Sequence, residues 1–251
     1  MEARSWWWWP YQLWKYLVVG PVLVVATAIG ATVILVLIPF VKAGTLSQLV
    51  AVGWARLIGW ITPMRVRVEG REHADPEQSY VVVSNHQSQY DILVLYGWLN
   101  IDVRWVMKQE LRSVPGLGVA CERLGHIYID RSDHQAAVAS ISAARERITD
   151  GTSVLFFPEG TRSDDGRLRR FKKGAFRFAI DTGLPILPVT VVGTNEVLPA
   201  RRYDLRPGRA TLVIHRPVEV RGMTIADLPK LSDRVRKIIG SALPGGPTPE
   251  P

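Results

Sequence analysis

The chain has 251 residues, 47% hydrophobic and 22% charged, and its 31 Lys and Arg against 23 Asp and Glu leave a net charge of +8. This apolar fraction, with 17 Pro and 21 Gly in no repeating period, excludes a disordered or collagen-like chain. The single cysteine, Cys121, excludes an intramolecular disulfide and a cysteine-based zinc cluster. The basic balance favours anionic partners: nucleic acid, anionic lipid, phosphorylated metabolites or an acidic carrier.

The chain opens with an aromatic cluster, Trp6 to Trp9, Tyr11, Trp14 and Tyr16, of the kind that settles at lipid headgroups. The 26 positions from Tyr16 to Val41 then carry no charge. At about 1.5 Å per residue, a helix of that length can cross a bilayer core of about 30 Å. Three readings compete. A cleaved signal peptide fits poorly with the length of the run, the tryptophans before it, and Pro21 and Pro39 within it. A single span is the second. The third is a helical hairpin, because Ala43 to Ile61 is apolar apart from Arg56 and a few small polar residues and can return toward the same face. Arg4 and Lys15 lie before, and Lys42, Arg56, Arg65 and Arg67 after, so charge bias does not orient the segment. Residues 1–62 are thus expected to form a membrane anchor.

From Met64 the texture changes to short apolar runs alternating with helical periods. Strands are expected at Met64–Glu69, Tyr80–Ser84, Val103–Lys108, His126–Asp130, Ser153–Phe157, Ile186–Val192 and Ala210–His215. Asp133–Thr149 shows one apolar helix face at Ala137, Ile141, Ala144 and Ile148, with Asp133 as cap, and Thr224–Leu243 gives a last helix. The alternation predicts an α/β fold over residues 63–243, a central mixed sheet with flanking helices, followed by a disordered Pro- and Gly-rich tail at 244–251.

His86 falls where the strand ending at Ser84 runs into a helix, at the carboxyl end where open α/β sheets place ligands. Asp91 lies five residues on, and about 100° per residue puts the two about 140° apart on a regular helix. They meet only if His86 stands in the turn before the helix and folds back over its first turn. There the positive helix end keeps the imidazole neutral, Asp91 holds one ring N–H, and the other nitrogen serves as a base for a hydroxyl. A single His-x4-Asp match is weak, and most such histidines are turn residues. Two further strand ends add to it. His126–Arg131 (HIYIDR) and Phe156–Ser163 (FFPEGTRS) each end in an acid and an arginine, and a forked guanidinium suits phosphate. Gly160 allows a close backbone approach to an anion, and Glu159 is expected to buttress an arginine or accept a hydroxyl bond. Arg167, Arg169, Arg170, Lys172, Lys173 and Arg177 follow as a basic run, either a solvated surface or a contact for anionic headgroups, coenzyme A phosphates or an acidic carrier protein. Cys121 is expected to be a small buried residue.

Together, Asn85–Asp91 (NHQSQYD), Gly125–Arg131 (GHIYIDR), Phe157–Ser163 (FPEGTRS) and Leu187–Val189 (LPV) resemble, in order, the four motifs of the glycerolipid acyltransferases, closest to the bacterial 1-acylglycerol-3-phosphate type. The resemblance covers roughly Val81 to Gly193. It implies that His86 is the general base with Asp91 as partner, that Arg131, Glu159, Gly160 and Arg162, with Thr161 in the same turn, bind glycerol phosphate, and that Pro188 shapes the acyl side. Tyr128 stands where the family usually has Phe. The reaction implied is acyl transfer from an acyl thioester, acyl-CoA or acyl carrier protein, to the hydroxyl of lysophosphatidate. It needs no metal or redox cofactor, and takes place at the cytoplasmic face of the cell membrane. Oxyanion donors are expected among backbone N–H groups of the two glycine-containing turns. Glycerol 3-phosphate or another lysophospholipid as acceptor, a thioesterase, and a catalytically silent lipid-binding module are the competing readings; nucleic acid is not expected as a partner.

Overall fold

The computed structural model of the chain describes residues 8–130, 140, 143, 145, 148, 150–163, 166–200 and 204–246. The helix expected over 133–149 and the tail expected at 244–251 fall largely outside these residues, as does Arg131.

The amino-terminal segment is a helical hairpin. Helices α1 (Trp8–Trp14) and α2 (Gly20–Leu37) are joined by a π-helical turn, Lys15–Val19, into one continuous helix. Pro21, in the first turn of α2, does not break it. Proline has no N–H for the carbonyl four residues back, and the wider turn before it, closed by Gly20 N–H to Lys15 O, accommodates that loss. Pro39 follows in the turn that ends the first arm. The second arm runs through α3 (Ala43–Leu46), a second π-turn (Ser47–Ala51) and α4 (Val52–Ile61). The arms are pinned by two indoles: Trp54 Nε1 donates to Thr27 Oγ1 at 3.0 Å and Trp14 Nε1 to the Ile61 carbonyl at 2.7 Å.

Among the described residues the sheet comprises β1 (Met64–Glu69), β2 (Val81–Ser84), β3 (Asp102–Lys108), β4 (Ile127–Ile129), β5 (Thr152–Phe156), β6 (Ile186–Val192) and β7 (Gly208–Ile214), in the order β1-β7-β6-β2-β5-β3-β4. Only β6 and β7 pair antiparallel; β6, β2, β5, β3 and β4 run parallel, so their carboxyl ends share one edge. All seven expected strands are present, within one or two residues of their predicted ends.

The central strands are buried on both faces, which is why they read as unbroken apolar runs. In β2, Val82 faces one core with Leu155, Leu187 and Val189, under α5 (Tyr90–Trp98); Val81 and Val83 face the other, under α7 (Gly174–Thr182) and α9 (Leu228–Ser241). Ala55 and Ile58 of α4 belong to the first core, and Ala31 and Ile34 of α2 pack with Ala120 and Leu124 on α6 (Leu117–Arg123). The hairpin is therefore seated on the α/β body. Its outer face leaves Trp9, Tyr16, Leu17, Val24, Val25, Ile29, Val36, Phe40, Leu49 and Trp60 exposed, far more apolar surface than a soluble domain ordinarily shows.

Candidate active site

The turn between β2 and α5 brings His86 and Asp91 together as their spacing requires. His86 Nδ1 donates to Asp91 Oδ2 at 2.8 Å. Asp91 is fully buried in the first turn of α5, and the same oxygen accepts the backbone N–H of Gln87 at 2.7 Å and Ser88 at 2.9 Å. Its other oxygen accepts the hydroxyl of Thr194, at the start of the short helix α8 (Thr194–Val197) after β6. The turn itself is tied to the sheet: the Asn85 amide exchanges two 2.8 Å bonds with Val191, and Ser88 Oγ donates to Leu198 O at 2.7 Å. Asp91 is thus held by four donors, and His86 presents its Nδ1–H to it. Nε2 is left as the acceptor.

The imidazole lies flat on Phe157, ring centroids 3.9 Å apart and 13° from parallel. Phe157 opens the loop after β5. In that loop Glu159 is buried and accepts the backbone N–H of His86 at 2.8 Å and of Arg169 at 3.0 Å, one on each oxygen. Ser163 N–H returns a 2.8 Å bond to His86 O. Burial raises the Glu159 carboxyl to about 7, despite the two backbone bonds that favour its ionised form. Glu159 therefore clamps the histidine turn to the third motif. It makes no side-chain ion pair with an arginine among the described residues, but it holds the backbone of Arg169 and feels that residue's charge.

Gly160 turns at φ +74°, the left-handed region that favours glycine, and the flexible end of the Lys172 side chain crosses over it. Thr161 and Arg162 both border a cavity of about 670 Å³ that opens at His86. Arg162 is half-buried and has no hydrogen bond or ion pair among the described residues. Lys108, at the carboxyl end of β3, is exposed on the same rim. The cavity runs from His86 between the sheet and the hairpin, lined by Ile34, Val50 and Trp54 on one side and Ile92, Trp105 and Leu124 on the other.

The other expected positions divide. Cys121 is buried as anticipated, its thiol pushed up to about 11 by burial, and it also lines the cavity. Tyr128 uses its extra hydroxyl to donate to Gly118 O at 3.0 Å. Pro188 sits within β6 opposite Val83 and is not among the residues bordering the cavity. The N–H groups of Gly125 and Gly160 donate to Glu122 O and Phe157 O, so neither is available as an oxyanion donor. Thr194 and Lys108 were not singled out from sequence. The signal for both was their place at or just past the carboxyl end of a strand.

Fold and site define a class: an α/β protein whose buried carboxylate orients a histidine beside an apolar cavity bordered by two cations, Lys108 and Arg162, that have no ion pair among the described residues. Known proteins agree. An acyltransferase family model matches residues 65–192. The 1-acyl-sn-glycerol-3-phosphate acyltransferase of Chlamydomonas reinhardtii is 35% identical over 72% of this chain and 53% of its own, and the human alpha enzyme of that name is 36% identical over 71% and 64%. The Limnanthes douglasii enzyme is 33% identical over 86% of this chain and 76% of its own. The crystal structure of the Thermotoga maritima 1-acyl-sn-glycerophosphate acyltransferase superposes with a TM-score of 0.76 at 28% identity, covering 90% of both chains. The chain belongs to the acyltransferase family. It spans between about half and two thirds of the length of the algal and human relatives.

Proposed function

We propose that this protein transfers an acyl group from an acyl thioester to the free hydroxyl of 1-acylglycerol 3-phosphate, giving phosphatidate at a membrane. The observation that carries this reading is the His86 imidazole, held by its Nδ1–H on the buried Asp91 and bordering the apolar cavity. Nε2 removes the proton of the acceptor hydroxyl as its oxygen attacks the thioester carbonyl carbon. Asp91 stabilises the imidazolium, and the thiol leaves as thiolate, its pKa being near 8.5. The relatives named for this reaction support the choice of substrates.

Arg162 and Lys108 on the rim fit the acceptor's phosphate, because neither cation is neutralised by a carboxylate among the described residues. Thr161 stands beside them, and Arg131 is assigned to the same phosphate by its motif. Glu159 and Gly160 support this site through the turn they build. The cavity takes the acyl chain. The outer face of the hairpin is the membrane contact, with residues 1–62 as anchor, 63–243 as catalytic domain and 244–251 as tail. The catalytic domain lies on the cytoplasmic side, where acyl thioesters are made. Because Ala55 and Ile58 share the domain's core, the anchor also holds the cavity wall in place.

The test is transfer of a labelled acyl group from acyl-CoA by vesicle-bound protein, with lysophosphatidate and glycerol 3-phosphate offered in parallel. Labelled phosphatidate that disappears in His86→Ala is expected. Free fatty acid as the sole product would instead establish a thioesterase.

A further inference from the structure

Deeper in the cavity, one wall carries a polar cluster that the transfer reaction does not use: Tyr96 of α5, Trp105 of β3 and His126, just before β4. All three are buried or nearly so. Their hydrogen bonds leave donors over. The backbone N–H of Trp105 points at His126 Nδ1 at 3.3 Å, so Nδ1 is the acceptor and the single proton of the neutral ring sits on Nε2. Burial, with Arg104 adding to it, holds this histidine down at about 3, so it stays neutral. Nε2–H then donates to the Tyr96 oxygen at 2.7 Å. The tyrosine's own O–H is left with no acceptor among the described residues. The Trp105 indole N–H is turned toward the same Tyr96 oxygen, which already accepts from His126, and it is buried with no better-placed acceptor among the described residues.

One unmet donor, the Tyr96 O–H, and one poorly met, the Trp105 indole N–H, on rings 4.7 Å apart on one wall of the cavity, call for an acceptor that none of the described residues provides. Phe157 stands between them and the reacting centre: it stacks on His86 at 3.9 Å and lies 5.9 Å from Trp105. The acceptor they face is thus displaced along the chain from the thioester carbonyl at His86.

Given the acyl-transfer reading, on which this rests, we infer that Tyr96 O–H and Trp105 Nε1–H bind an oxygen substituent near the thioester end of the acyl chain, so that the protein prefers hydroxy- or oxo-acyl donors to plain ones. His126 is a positioning residue, fixing the direction of the Tyr96 proton. The experiment compares plain, 3-hydroxy and 3-oxo acyl-CoA of one chain length, with lysophosphatidate as acceptor and the full chain in vesicles. The ratio of kcat/KM for oxygenated over plain donor is expected to exceed one in the wild type. It should fall about five- to tenfold in Tyr96→Phe and in Trp105→Phe, the size of one uncharged hydrogen bond. Ratios that do not change in either variant overturn the inference. So do rates that fall equally for all donors, which would assign the two N–H and O–H groups to the thioester carbonyl itself. Displacement of a fluorescent fatty acid from the detergent-solubilised full chain, by plain and 3-hydroxy fatty acids, gives a readout independent of turnover. Tighter binding of the hydroxy acid that is lost in Tyr96→Phe supports the inference, and equal binding refutes it. If no donor is turned over, the proposed function fails while this binding comparison still decides.

Discussion

Replacing Asp91 by asparagine separates charge from geometry at the active site. Three N–H groups, from Gln87, Ser88 and His86 Nδ1, converge on Asp91 Oδ2, while Oδ1 meets only the Thr194 hydroxyl. An asparagine can keep its carbonyl oxygen toward the three donors and turn its NH₂ to Thr194, whose hydroxyl can rotate to accept. The opposite orientation sets an NH₂ against three N–H groups and is strongly disfavoured. His86 should then keep its tautomer in Asp91→Asn, losing only the negative charge that, in the proposed reaction, stabilises the imidazolium of the transition state. A charge-assisted hydrogen bond is worth about 1.5–3 kcal/mol, and losing an effect of roughly 2–3 kcal/mol slows transfer on the order of 30- to 150-fold.

A flipped amide would invert the tautomer, and the corresponding change in a serine protease triad costs about 10⁴-fold. The assay is acyl transfer to lysophosphatidate for wild type, Asp91→Asn and His86→Ala, with thermal unfolding followed in parallel. A variant as slow as His86→Ala but fully folded would show that the three backbone and ring donors do not fix the amide, and the reasoning would be wrong. Asp91→Ala is the less informative change, because it strands three N–H groups in a buried site at roughly 1–3 kcal/mol each and should lower the melting temperature steeply.

Glu159 gives a pH dependence with a definite sign. Its carboxyl is raised from the ordinary 4.5 to about 7, so the folded chain holds a proton that the unfolded chain has released, and stability falls as pH rises through that window, by on the order of 3 kcal/mol at most. Unfolding midpoints measured from pH 4.5 to 8 should show this slope in the wild type and not in Glu159→Gln; a slope surviving in the variant assigns it elsewhere. Arg162→Ala should raise KM for lysophosphatidate about tenfold or more, with little change in KM for the acyl thioester, and equal effects on both would place Arg162 outside the phosphate site. Gly118→Ala should be poorly folded at any temperature tested, since a Cβ there would sit 2.1 Å from the Arg112 carbonyl oxygen, a backbone atom that cannot swing aside; a melting point within a few degrees of wild type contradicts this.

Most of the sheet and the His86–Asp91 pair were legible in the chain because their constraints are local. A strand buried on both faces must be an apolar run, as Val81–Val83 is, and a histidine five residues before an acid can meet it in only one way when a helix starts between them. What sequence could not supply was contact between distant segments. Thr194 reaches Asp91 from 103 residues away, and Glu159 reaches His86 across 73. Both depend on β6, β2 and β5 lying side by side in parallel, an order that no single strand's composition encodes. The same limit explains why Glu159 was expected beside an arginine: its motif supplies one at Arg162, three residues on, yet the sheet order brings the His86 backbone nearer.

The hairpin shows the same distinction in reverse. Composition marked it as apolar and left its direction open, since a helix in lipid and a helix in a protein core need similar residues. Packing separates them: Ala31, Ile34, Ala55 and Ile58 are buried against the domain, whereas Val24, Val25, Val36 and Phe40 are not. One set of helices thus forms both the inner wall of the cavity, through Ile34, Val50 and Trp54, and the outer apolar surface. Only the hairpin's single helical layer separates its exposed outer face from the cavity at His86, and under the proposed function that layer is what an acyl chain leaving the bilayer crosses to react.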